Sequence, residues 1–344
     1  MSPMPMQESQ MNQSPETLRA QMAAGVGVPS VDVSTADGGA DPTTAVAAGS
    51  AAESVAGLAP SEATPLAGVR VVTVALNVPG PVAARRLQEL GAHVTTVLPP
   101  SGDPLAQYSD TWFEALHEGQ DLCTLDLKED EPRDRLGALL AETDVLLTSS
   151  RPSALRRLSI DFDTLHARYP RLVQVDIVGH PGADAEIAGH DLTYEAVEGL
   201  LRPPALPATL IADLGGAERA VSEALVALRL RDATGTGCRR EVALSDAAHD
   251  FAAASRHGLT APGGFLGGGY PAYAVYAAAD GFVALAALEP HFLRRTLAAL
   301  DVDGSAEDFT AAFATRPAAE WERWATEHDI PLVAVPSTPP PVGG

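Results

Sequence analysis

Residues 68–100 read GVRVVTVALNVPGPVAARRLQELGAHVTTVLPP. The run from Gly68 to Leu76 is continuous and rich in valine, the pattern of a strand buried on both faces of a parallel sheet. Asn77 to Pro81 form a turn. Val82 to Ala92 carry apolar residues at helical spacing and close on Gly91, a residue suited to the left-handed backbone past a helix end. His93 to Pro100 read as a second strand, stopped by two prolines. Two parallel strands joined through a helix need a right-handed crossover, so this stretch predicts the start of an open parallel sheet.

Downstream, LCTLDL (122–127), DVLLTSS (144–150) and LVQVDIVG (172–179) read as further strands. A helix over 131–143 and short helices in SALRRLSI and FDTLHARY separate them. The alternation predicts an α/β fold, a Rossmann-like doubly wound parallel sheet. Long helices are predicted over 191–201 and 217–235, and VALSD reads as a strand leading into a helix. A glycine-rich loop, GGFLGGG (263–269), precedes YAVYAAADGFVALAAL, where Asp280-Gly281 between apolar runs signals a hairpin. With a helix at 291–300 this predicts a second, smaller α+β domain. The expected boundaries are 66–260 for the large domain and 261–336 for the small one, with a disordered tail over 337–344.

Upstream, residues 1–65 are rich in Ala, Gly, Ser, Pro and Thr, and no aromatic residue precedes Tyr108. Such a segment buries too little apolar surface to offset its ordering entropy, so a disordered extension is expected. Within it, Ser14 to Ala24 suit a short helix, with Ser14 as N-cap and Pro15 at the first helical position. That segment is a candidate docking peptide for a protein partner.

The chain carries a net charge of -22 and a single lysine, Lys128. So acidic a surface repels phosphate backbones and anionic lipid, which argues against nucleic acid and membranes as partners. Cys123 and Cys238 lack metal-ligand spacing and read as small core residues. The first residues have neither a basic nor an apolar signal region, and no apolar run is long enough to span a bilayer. A cytoplasmic protein is expected.

Taken together, these words resemble the family III CoA-transferases (CaiB/BaiF). The resemblance rests on PLAGVRVVTVA, GPVAARRLQELGAHVTTV, LDLKEDEPRDRLGALLAETDVLLTSSRPSALRRLSID, PRLVQVDIVG, AGHDLTYEAVEGLL and ADLGGAERAVSEALVALRLRDATGTG, in that order. Three spots resemble the α-methylacyl-CoA racemase branch: Gly189-His190-Asp191, Ala212-Asp213-Leu214 and Leu288-Glu289-Pro290-His291-Phe292. The resemblance implies 1,1-proton transfer at the α-carbon of a 2-methylacyl-CoA thioester through an enolate. His190 and Asp213 would be the two acid–base groups, with Glu289 beside them and the Asp191 backbone N–H as oxyanion donor. An imidazole suits such work because it titrates near neutrality.

Two alternatives stay open. Asp191 could act through its carboxylate, forming an aspartyl intermediate and moving CoA between carboxylic acids. The chain could instead be a non-catalytic homologue serving as a binding or assembly protein, since Gly119-Gln120-Asp121 stands where the family has a basic word. The remaining candidates for the CoA phosphates are Arg85, Arg86, Lys128 and Arg151. No tightly bound cofactor or metal is implied; coenzyme A enters as part of the substrate. Family members form interlocked dimers. A homodimer is expected; the family's returning C-terminal stretch has no counterpart after about Pro336, which leaves the mode of dimerisation open.

Overall fold

The computed structural model describes residues 64–338, and every structural statement below concerns these residues. The expected disordered extension, the short helix at Ser14 to Ala24 and the end of the tail lie outside them. Nine strands are seen: β1 (Arg70–Thr73), β2 (His93–Leu98), β3 (Asp121–Thr124), β4 (Val145–Thr148), β5 (Val173–Val178), β6 (Arg239–Ala243), β7 (Tyr273–Ala277), β8 (Phe282–Ala286) and β9 (Leu332–Val335). The helices in the first half are α1 (Pro79–Glu89), α2 (Pro104–Tyr108), α3 (Asp110–His117), α4 (Asp130–Leu140), α5 (Pro152–Leu158) and α6 (Phe162–Arg168). In the second half they are α7 (Asp191–Val197), α8 (Ile211–Thr234), α9 (Leu244–Phe251), α10 (Ala253–Arg256), α11 (Pro290–Leu300), α12 (Ala306–Phe313) and α13 (Ala318–His328).

Strands β1 to β6 make one parallel sheet in the order β3-β2-β1-β4-β5-β6. Val71 pairs with Val94 on one side and Val145 on the other. The chain therefore winds outward from β1 in one direction, then returns to continue from β4 in the other. At that reversal the crossover helices diverge, and a crevice opens beyond the carboxyl ends of the strands.

Each face of the sheet is covered. On one side Val71, Leu147, Val175 and Ile177 meet α1 and α8 through small residues, Ala83, Ala84, Ala220, Ala224 and Ala227. Alanine along that seam lets both helices lie close to the strands. On the other side Val72, Val97 and Leu146 pack against Leu136, Leu140, Leu155 and Leu165.

The remaining strands form an antiparallel sheet, β7-β8-β9. The hairpin turns at Asp280-Gly281 as the sequence predicts, closed by the Ala278 N–H to Gly281 carbonyl bond at 2.8 Å. One face of this sheet packs on Phe309, Phe313 and Trp321, which carry a second apolar core.

Several elements differ from the sequence reading. The helix expected over 191–201 ends at Val197, because Gly199 takes a left-handed backbone with φ of 70°. The helix expected from 217 begins at Ile211. Gly215 and Gly216 sit inside α8, where a side chain would collide: a Cβ would lie 2.2 Å from Phe251 or from Leu244. The glycines are there to admit α9. Helices α2, α3, α12 and α13 and strand β9 were passed over in the sequence reading. Cys123 and Cys238 are free thiols, both half-buried. Among the described residues no helix is long and apolar enough to cross a membrane.

Candidate active site

The loops after β1, β4 and β5 surround a cleft of about 220 Å³ at the reversal point of the sheet. Its floor is the carboxyl end of β5, with Ile177, Val178 and Gly179. Asn77, Arg151, His190, Tyr194 and Asp213 also line the cleft. The rim loops are tied to each other. Leu76 donates its N–H to Ser149 Oγ at 2.8 Å, and Asn77, with φ of 66°, donates to Asp103 Oδ1 at 3.0 Å.

His190 caps α7 in an extended conformation. Thr193 Oγ1 accepts the His190 N–H at 3.1 Å and donates to the His190 carbonyl at 2.7 Å. This reciprocal pair fixes the backbone that carries the imidazole. The next residue faces the other way. The Asp191 side chain is buried, and its Oδ1 accepts the Asp213 N–H at 3.0 Å. One turn on, Glu195 Oε1 accepts the Ile211 N–H at 3.2 Å. The carboxyls of α7 thus satisfy free N–H groups at the start of α8, where the helix dipole favours negative charge.

Asp213 is the third residue of α8 and lines the cleft. Burial, reinforced by the charge of Asp191, pushes its carboxyl up to about 7. A carboxyl at that value populates both protonation states near neutrality, as a proton-transfer group requires.

Tyr194 was not singled out from the sequence. Its ring is buried on the cleft wall, edge-on to His180 at 5.2 Å between centroids. Space for it comes from two glycines: a Cβ on Gly179 or Gly189 would lie 2.4 or 2.5 Å from Tyr194. Burial first, then the Asp213 charge, raises its phenol above the usual range. The available signal was its spacing, four residues after His190 on the same helix.

The candidate cations divide. Arg151 lines the cleft just before α5. Lys128 lines an adjoining recess of about 140 Å³ that shares Leu76 and Ser150 with the cleft. Arg85 and Arg86 do not line the cleft. Arg85 pairs with Glu89 at 3.2 Å and the Glu118 carbonyl at 3.0 Å, and Arg86 with Glu89 at 2.9 Å and Glu218 at 3.8 Å. Glu289 lies at the head of α11, exposed and also outside this cleft. Among the described residues no group of three or more carboxylate, histidine or cysteine side chains could hold a metal ion.

An open parallel sheet with a crevice at its reversal point, lined by Arg151, His190 and Asp213, defines a doubly wound α/β protein. The family model for CoA-transferase family III matches residues 66–338, and the chain belongs to that family. An α-methylacyl-CoA racemase of Mus musculus is 30% identical over 289 residues, covering 74% of each chain. A cinnamoyl-CoA:phenyllactate CoA-transferase of Clostridium sporogenes is 32% identical over 139 residues, covering 37% of this chain and 34% of its own. Among solved structures, a CAIB/BAIF family protein from Brucella suis superposes with a TM-score of 0.69 at 23% identity, covering 80% of this chain and 85% of its own. The relatives thus include both racemases and CoA-transferases.

Proposed function

We propose that the protein acts on an acyl-CoA thioester as a racemase of the α-carbon, with His190 and Asp213 as the two proton-transfer groups. The observation that carries this reading is the division of labour at the start of α7. His190 and Asp213 line one cleft, while the Asp191 carboxylate is buried against the Asp213 N–H and does not line it. An aspartyl nucleophile has to meet the thioester carbon, so this geometry favours proton transfer over acyl transfer to Asp191.

In the forward direction neutral His190 removes the α-proton from one face. Negative charge then moves to the thioester oxygen, where the Asp191 backbone N–H in the first turn of α7 is the proposed donor. Protonated Asp213 returns a proton to the opposite face. The reverse direction exchanges the two roles. Arg151 and Lys128 are the proposed contacts for the CoA phosphates, and no tightly bound cofactor takes part. Glu289 would reach a cleft across a homodimer.

Deuterium exchange tests this. In D2O, with a 2-methylacyl-CoA and no acceptor acid, the wild-type chain is expected to wash deuterium into the α-position. Transfer of CoA to an added carboxylic acid, with no deuterium at the α-position, would favour the transferase instead. Neither exchange nor transfer, with CoA bound, would favour a binding protein.

A further inference from the structure

Helix α7 buries two carboxyl groups one turn apart and brings both to the first turn of α8. Asp191 is 4% exposed and Glu195 1%. One oxygen of each has a donor, from Asp213 and Ile211 respectively. The other Asp191 oxygen, Oδ2, is enclosed without a donor among the described residues, and the Glu195 carboxyl neighbours the Asp191 carboxyl. Two ionised carboxylates in that space would repel, and a buried acceptor without a donor is costly. A proton on Glu195 removes both penalties, because a neutral carboxyl can donate.

We propose that Glu195 is a positioning residue: as a neutral carboxylic acid it donates to Asp191 Oδ2 while accepting from Ile211, and the pair sets the turn of α8 that presents Asp213 to the cleft. The inference rests on the proposed role of Asp213. The surroundings fit it. From α7 itself the acting charge is Asp191. From α8 come the Ile211 N–H and, beyond Asp191, the Asp213 carboxyl. From α9, packed on the other side, His249 turns to Glu198 at 3.0 Å, and Arg256 of α10 does the same at 3.3 Å. Burial and the bond to Asp191 hold the Glu195 carboxyl well above the usual range. The Asp191 charge in turn helps to hold the Asp213 carboxyl up.

Two substitutions separate donation from mere packing. Glu195→Gln supplies an amide N–H to Asp191 and a carbonyl to Ile211. Glu195→Leu supplies neither, so Asp191 must take up the proton and its charge on Asp213 is lost. The measurement is carboxyl 13C NMR of the full chain, titrated with pH for the wild type and both variants, with Asp213→Asn assigning one signal. A glutamate signal absent from both variants is expected to stay protonated to near pH 6. The Asp213 midpoint is expected to hold in Glu195→Gln and to fall by about one unit, a tenfold loss of proton affinity, in Glu195→Leu. Glu195 titrating in the ordinary carboxylate range overturns the proposal, as does an unmoved Asp213 midpoint in Glu195→Leu. If Glu195→Leu does not fold, the wild-type Glu195 midpoint decides alone. The titration needs no substrate, so a wild-type chain that fails to exchange deuterium removes the racemase reading and leaves this result standing.

Discussion

At the residue scale, the proposal turns on His190 and Asp213. His190→Ala and Asp213→Asn are each expected to slow α-deuterium exchange by about 10²–10⁴-fold while CoA binding persists. Loss of binding in step with exchange would instead mark them as contacts for substrate. The Asp213 value of about 7 gives the pH dependence a sign. The direction that needs protonated Asp213 should slow as pH rises through 7. The opposite direction, which needs the carboxylate, should slow as pH falls below 7. Stability follows the same proton. A carboxyl raised in the fold binds more protons folded than unfolded. Its contribution is therefore complete below its ordinary titration range and is lost as pH climbs through 7. Denaturant titrations of wild type and Asp213→Asn across pH 4 to 8 should differ in slope over that window. His190, Asp191 and Asp213 could be named from the sequence because each sits in a short ordered word. Tyr194 and Glu195 could not, because their importance lies in what they touch, Gly179, Gly189 and Ile211, which are distant in sequence or ordinary in type.

At the element scale, the fold was most legible where apolar residues ran unbroken, as in β1, β4 and β5, and where a helix ended on glycine. It was least legible where glycine served contact rather than a turn. The start of α8 is the case in point. Gly215 and Gly216 hide the first turn of the helix from a reading of propensity, although they are what lets α9 approach. Gly216→Val is expected to destabilise the chain by about 1–3 kcal/mol through overpacking against Leu244. Because Asp213 lies on the same turn, its exchange rate should fall as well. A thermal melt combined with an exchange assay checks both, and a loss of stability with undiminished exchange would mean the turn tolerates the shift.

At the scale of the whole molecule, the apolar core behind the antiparallel sheet depends on aromatic packing. Phe309, Phe313 and Trp321 are almost fully buried, with the Phe313 and Trp321 rings edge-on at 5.2 Å. Phe313→Ala is expected to cost about 3–5 kcal/mol, read by urea denaturation. The helices supplying these rings, α12 and α13, were not foreseen. Phe309 and Phe313 stand four residues apart and Trp321 and Trp324 three apart, a helical spacing that was there to be read. Charge also acts at this scale. In a chain with a net charge of -22, Arg151 lines the cleft and Lys128 the recess beside it, and both are the proposed contacts for the CoA phosphates. Replacing both with alanine is expected to weaken CoA binding and to flatten its salt dependence, as calorimetry at two ionic strengths would show.

Lys128 is the only lysine in the sequence, and it is exposed on the recess that joins the cleft. An amine-directed reagent therefore has one side chain to modify. Peptide mass mapping after brief acylation, with and without CoA, would turn that solitary amine into a built-in footprint: shielding of Lys128 would mark the nucleotide's resting place without altering a single codon.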